Sequence, residues 1–191
     1  MRRGCTQEAF CSVLLLAIFA AGSCGPASSD PSAAKPSSIV IQLTSPAFRE
    51  GDPIPPQFTC KGSNVSPELH WSDPPKDTQS LALICDDPDA PGGTFVHWVI
   101  FNIPAGVRSF PEHFGAPSPL SDRVTFGRND FGRLEYSGPC PPPGKPHRYF
   151  FKLYALDTWL SLARGATKKN LEAAIENHIL GSGQLMGTFK R

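Results

Sequence analysis

The chain has 191 residues, 40% of them hydrophobic, and its 18 Lys+Arg against 17 Asp+Glu leave a formal net charge of +1. This length holds one domain and an appendage, and the even charge excludes the broad basic field of a nucleic-acid or anionic-membrane surface, so any anion binding must be local. The 21 Pro and 17 Gly favour short strands joined by many turns over a helical bundle.

Residues 1–24 read as a targeting segment: Met1-Arg2-Arg3 supplies positive charge, and the apolar run 13–21 is too short for a permanent bilayer anchor. Ala21-Gly22-Ser23-Cys24 is similar to a bacterial lipoprotein signal, in which Cys24 becomes the lipidated first residue. Ala21 stands where Leu is usual, so a plain secretory signal cleaved nearby is the alternative. Residues 25–38, rich in Ser, Pro and Ala without apolar periodicity, read as a flexible tether. The folded domain is expected over 39–191, outside the cytoplasm: lipid-anchored on the periplasmic side of a bacterial envelope, or otherwise soluble or secreted. Of six cysteines, Cys5 and Cys11 leave with the signal and Cys24 carries lipid, leaving Cys60, Cys85 and Cys140. Cys85, in the apolar run 81–85, reads as a buried strand residue. Cys60 and Cys140 sit in loops, where a bridge between them can form after export. No Cys-x-x-Cys pair is present, and no metal is expected.

Along the domain, the β-branched run 39–44, the segments 80–85 and 95–103, and the aromatic-rich 149–156 read as strands separated by proline-rich turns. Residues 104–137 read as a large loop with a strand fragment near 124–126. A helix is expected from a Thr167 cap, with Leu171, Ala174, Ile175, His178 and Ile179 as its packing stripe and Gly181 ending it. Residues 186–189 return as a last short strand.

Two segments carry the chemistry. Gly138-Pro139-Cys140-Pro141-Pro142-Pro143-Gly144-Lys145-Pro146 is a stiff, donor-poor loop directly before His147-Arg148-Tyr149. Its prolines fix φ and leave little freedom to lose on binding, which suits a pocket wall as well as a plain surface turn. Asp86-Asp87-Pro88-Asp89-Ala90-Pro91 crowds carboxylates into a turn shortly before His97. Asp87 and Asp89 either cap that turn through backbone N–H groups or orient an imidazole of His97 or His147. Arg148, alternating with His147 and Tyr149, points the other way and reads as half of an ion pair.

Taken with 58–71, His97-Trp98, Asn102-Ile103-Pro104, Asn129-Asp130-Phe131-Gly132, Tyr154-Ala155-Leu156-Asp157, His178-Ile179-Leu180 and 187–191, these segments resemble the phosphatidylethanolamine-binding protein family, in particular its bacterial Raf kinase inhibitor-like branch. Residues 134–137, where a glycine-rich stretch is usual, and Phe189, where Tyr is usual, depart from the pattern. The resemblance implies a mainly β fold, a large antiparallel sheet packed on a smaller one with one or two peripheral C-terminal helices. It also implies a small pocket for phosphate or a phosphorylated headgroup, lined by Asp87, Asp89, His97, Gly138, Pro139, His147 and Tyr149, with imidazole N–H, the Tyr149 hydroxyl and backbone N–H near Gly138 as donors. No cofactor, catalysis or nucleic acid is expected, and no protein partner is identified. Two other classes are weighed. Relatives that regulate kinases or inhibit serine proteases suggest an envelope interaction protein. A hydrolase could use the same Asp and His residues, but the chain has no G-x-S-x-G turn, no H-E-x-x-H helix and no P-loop.

Overall fold

The computed structural model describes residues 39–191 except Ala116 and Ser118; the signal segment, the tether and Cys24 lie outside the described residues. Its strands are β1 (Ile39–Val40), β2 (Leu43–Thr44), β3 (Leu69–Trp71), β4 (Ser80–Asp87), β5 (Phe95–Pro104), β6 (Ser109–Phe110), β7 (Thr125–Phe126), β8 (His147–Leu156) and β9 (Ile179–Phe189), with one α-helix, α1 (Lys168–Ile175). A six-stranded sheet runs in the order β1-β9-β8-β4-β5-β7, and a three-stranded sheet in the order β2-β3-β6. All pairs are antiparallel except β1 with β9.

Every residue of β4 is buried, which requires cover on both faces of the large sheet. Leu81, Leu83 and Cys85 face the small sheet in a core with Trp71, Trp98, Phe110, Phe151 and Leu153. Ala82 and Ile84 face the other way, under Leu171 and Ile175 of α1. Each such large side chain contributes about 1.5–3 kcal/mol by leaving water. Thr167 caps α1, its hydroxyl accepting from the Asn170 N–H while the Asn170 side chain accepts from the Thr167 N–H. Asp86, fully buried on the helix side, accepts from Lys152 Nζ at 2.8 Å and pairs with Lys168 Nζ at 2.9 Å, so α1 is fastened electrostatically to β4 and β8.

Three elements differ from the sequence reading. The run 39–44 is two strands in different sheets, because the chain crosses from one layer to the other at Ile41-Gln42. The helix ends at Ile175: His178 pairs with Asp157 at 2.7 Å, and Ile179 already belongs to β9. The last strand is eleven residues long, and Gly181 lies inside it. A Cβ on Gly181 or Gly183 would strike the backbone carbonyl of Ile39 or Ile41, so these glycines permit the close approach of the preceding chain and do not stop a helix.

Candidate functional site

At one end of the large sheet, β4 finishes in Asp87 while β5 and β8 begin near Phe95 and His147. The strand period brings His147 and Tyr149 inward and turns Arg148 out. His97 arrives by a different device. Cys85 pairs with Trp98 and Asp86 with Val96, so His97 is the extra residue of a β-bulge. Freed from the ladder, its carbonyl accepts from the Ser137 N–H and the Asn129 side chain, both at 3.1 Å. The resulting cavity of about 170 Å³ is lined by Asp87, His97, His147 and Tyr149 among the apolar groups of Ala90, Pro91, Phe95, Phe131, Pro141 and Pro142, with Cys140 beside them.

Asp87 performs both tasks that the sequence leaves open. One carboxylate oxygen accepts from the Asp89 N–H at 2.8 Å and caps the turn, and the other accepts from His147 Nδ1 at 2.8 Å. His97 Nδ1 donates to the Ser137 carbonyl at 2.5 Å. Burial pulls the His97 pKa below its ordinary value, against the opposing pull of the Ser137 and Gly138 backbone and of the Asp87 and Asp130 charges. Edge contacts to Phe95, Phe131 and Tyr149, with ring centroids 5.2–5.5 Å away, hold this imidazole in place. Tyr149 is wholly buried, and its hydroxyl makes no well-formed hydrogen bond, the Asp87 carboxylate being the acceptor that acts on it. Burial, reinforced by the Asp87 charge, pushes the phenol well above its usual range, so it stays a donor.

Asp89, Gly138 and Pro139 are not among the lining residues. The Asp89 carboxylate takes both Nε and a terminal nitrogen of Arg148, at 2.9 and 2.7 Å, as well as the Arg148 N–H. The Gly138 N–H, expected to meet a ligand, donates to Asn64 Oδ1 at 2.8 Å, and the Pro139 carbonyl accepts from the Cys60 N–H. Cys60 and Cys140 form a disulfide, so the segment after Phe58 backs the proline wall. Sequence reasoning assigned no role to Asn129, yet its buried side chain bonds the His97 and Glu135 carbonyls, Ser137 Oγ and the N–H groups of Phe131 and Arg133. An Asn before Asp-Phe-Gly was the available signal for such a turn.

Chemically, the lining offers two oriented imidazoles, one phenol and one carboxylate, with no Lys or Arg. Its one sulfur is tied up in the disulfide, and no Ser or Thr is among the lining residues. Among the described residues no group of three or more His, Cys, Asp or Glu is placed to hold a metal ion.

The sequence profile of phosphatidylethanolamine-binding proteins matches residues 44–190, which includes every residue of this cavity. The chain belongs to the phosphatidylethanolamine-binding protein family. A UPF0098 protein of Methanothermobacter thermautotrophicus is 48% identical over 79% of this chain and 99% of its own. One from Aquifex aeolicus is 44% identical over 80% of this chain and 90% of its own. Among solved structures, a phosphatidylethanolamine-binding protein homologue of Chlamydia trachomatis aligns with a TM-score of 0.72 and 40% identity over 81% of this chain and 99% of that one. Escherichia coli YbcL, a member of the same family, aligns with a TM-score of 0.74 and 32% identity over 79% and 98%. The chain thus shares its fold with solved members of the family.

Proposed function

We propose that this family member is a non-catalytic binding protein whose cavity takes phosphate or a phosphorylated headgroup. The observation that carries the reading is the Tyr149 hydroxyl, buried at the cavity wall beside the Asp87 carboxylate and without a well-formed hydrogen bond. A buried donor so placed costs about 1–3 kcal/mol, and a ligand oxygen would recover it. A purely cationic ligand such as an ammonium group would leave that donor unsatisfied. The volume of about 170 Å³ suits a tetrahedral anion with a short apolar substituent against Phe95 and Phe131.

Calorimetric titration with inorganic phosphate and with phosphoethanolamine tests this reading on the parent chain and on Tyr149→Phe. The variant should bind about tenfold more weakly, as expected for one lost hydrogen bond to a charged group, with an unchanged or raised thermal midpoint. Absence of binding to the parent, or equal affinity in both proteins, would overturn the assignment.

The proposal extends to place. The charged and apolar pattern of residues 1–24 supports export, the Cys60–Cys140 disulfide is compatible with an oxidising compartment, and Cys24 would carry the lipid. Cys24→Ser should move the protein from the membrane fraction to the soluble fraction; retention in the membrane would count against the anchor.

A further inference from the structure

Among the described residues four large apolar side chains are left exposed: Ile39 at 56%, Val40 at 84%, Phe131 at 44% and Trp159 at 49%. Phe131 belongs to the cavity; the other three lie at the opposite end of the large sheet. Ile39 pairs with Gly181 of β9, and Gly181 pairs with Ala155 near the last residue of β8. Trp159 follows that strand directly. Since β8 begins at the cavity with His147 and is ten residues long, the two ends stand about 30 Å apart.

The fold holds Trp159 out by both of its neighbours. The Thr158 carbonyl accepts from the Ser80 hydroxyl at 2.5 Å. Leu160, itself buried, donates its N–H to Asn102 Oδ1 at 2.8 Å and accepts at its carbonyl from Asn102 Nδ2 at 2.9 Å. Asn102 makes this clamp from a left-handed backbone, φ 54°, within β5, a conformation uncommon outside glycine. The indole is therefore presented to solvent on a fixed support, with little freedom to lose on contact. An apolar ring with one polar edge, so placed, suits a membrane–water interface.

The chain also enters the described domain at this end, because β1 runs parallel to β9 and toward the cavity. Upstream stand residues 25–38 and then Cys24; a flexible tether of that length spans about 20 Å on average, less than the length of β8. We propose that the end of the sheet bearing Ile39, Val40 and Trp159 rests on the bilayer that holds the Cys24 lipid, with the cavity turned away from it. This rests on the lipid-anchor reading above. Basic groups near this end are already engaged, Arg108 with Asp73 at 2.8 Å and His178 with Asp157 at 2.7 Å, and Lys76 stands beside Asp77. The contact is apolar and needs no anionic lipid, and the tether supplies the local concentration that lets three side chains suffice. The cavity then draws its ligand from the aqueous side and not from the anchoring leaflet.

Trp159 reports on this contact by itself, because the other two tryptophans, Trp71 and Trp98, are buried. In the lipidated protein reconstituted into phosphatidylcholine vesicles, Trp159 emission should be lost when the acyl chains are brominated. Trp159→Phe should show no such loss, at an unchanged thermal midpoint. In Trp159→Phe/Phe131→Trp, which moves the reporter to the cavity mouth, emission should be the same with and without bromine. Vesicle-bound protein whose Trp159 stays bright, or bromine quenching at the cavity mouth, would overturn the orientation while leaving the anchor standing. Concentration-dependent shielding of Trp159 from acrylamide in the soluble Cys24→Ser protein would assign this end to a second copy of the chain and overturn it as well. Failure of the parent to float with the vesicles would overturn the anchor reading and this inference with it.

Discussion

Asp87 is only 3% exposed and spends one oxygen on the turn and the other on His147, so its substitution separates geometry from charge. In Asp87→Asn the amide oxygen can keep the Asp89 N–H, but the amide N–H₂ then confronts the His147 Nδ1 proton. Two facing donors are relieved when Nδ1 gives up that proton, at a cost of about 1–3 kcal/mol in stability. Nitrogen NMR should show that Nδ1 of His147 has lost its proton in the variant. A His147 that keeps its Nδ1 proton would count against this proton placement. At this scale the sequence was informative where chemistry is local: Asp-Pro-Asp, His97 and His-Arg-Tyr are conspicuous in a chain with few charges. The direction of each carboxylate was not legible, because Asp87 and Asp89 are separated by a turn and not by a strand period. Neither was the bulge that aims His97, since a bulge is a property of two paired strands and leaves no mark in one of them.

Among the elements, the proline wall depends on a segment nearly eighty residues away. The Cys60–Cys140 bond works alongside three hydrogen bonds: Cys60 N–H to the Pro139 carbonyl, Gly138 N–H to Asn64 Oδ1, and Tyr136 O–H to the Phe58 carbonyl. The bond closes a sequence separation of 80, a long loop whose release enlarges the unfolded ensemble. Its loss should lower the unfolding free energy by about 2–4 kcal/mol. Denaturant titrations of the parent and of the Cys60→Ser/Cys140→Ser double variant will read that difference, and phosphate affinity should change only a few-fold because the hydrogen bonds remain. An unchanged denaturation midpoint would show that those bonds alone hold the wall. Long strands with apolar or aromatic runs, β4, β5 and β8, were legible in the sequence. β3 and β6, of three and two residues, are shorter than any recognisable alternation. β9 was hidden by its glycines, whose service to Ile39 and Ile41, and at Gly187 to Phe48 and Ile54, exists only after the sheet has formed.

For the whole molecule, two groups shifted in the same direction predict how folding responds to acid. His97 is held neutral by burial, with its pKa below the ordinary 6.5, so below about pH 6.5 the unfolded chain takes up a proton that the folded chain refuses. The stability associated with this site is therefore full above 6.5 and declines as pH falls, by at most about 1.4 kcal/mol per pH unit for one proton. Asp89 is lowered from 3.8 to about 2, chiefly by its hydrogen bond to the Arg148 guanidinium. Its contribution is intact above 3.8 and disappears as pH drops toward 2, and the half-exposed Arg148 keeps it small through solvent screening. The two windows do not coincide, so variants can assign them. Denaturation in phosphate-free buffer should show a slope beginning near pH 6.5 that is absent in His97→Gln, and a weaker one between about pH 4 and 2 that is absent in Asp89→Asn. Persistence of the upper slope in His97→Gln would mean that acid enters this fold elsewhere. Its disappearance would mean that the neutral His97 imidazole lining the cavity is also the group through which mild acid weakens the domain, so that a ligand held against it would offset part of that loss.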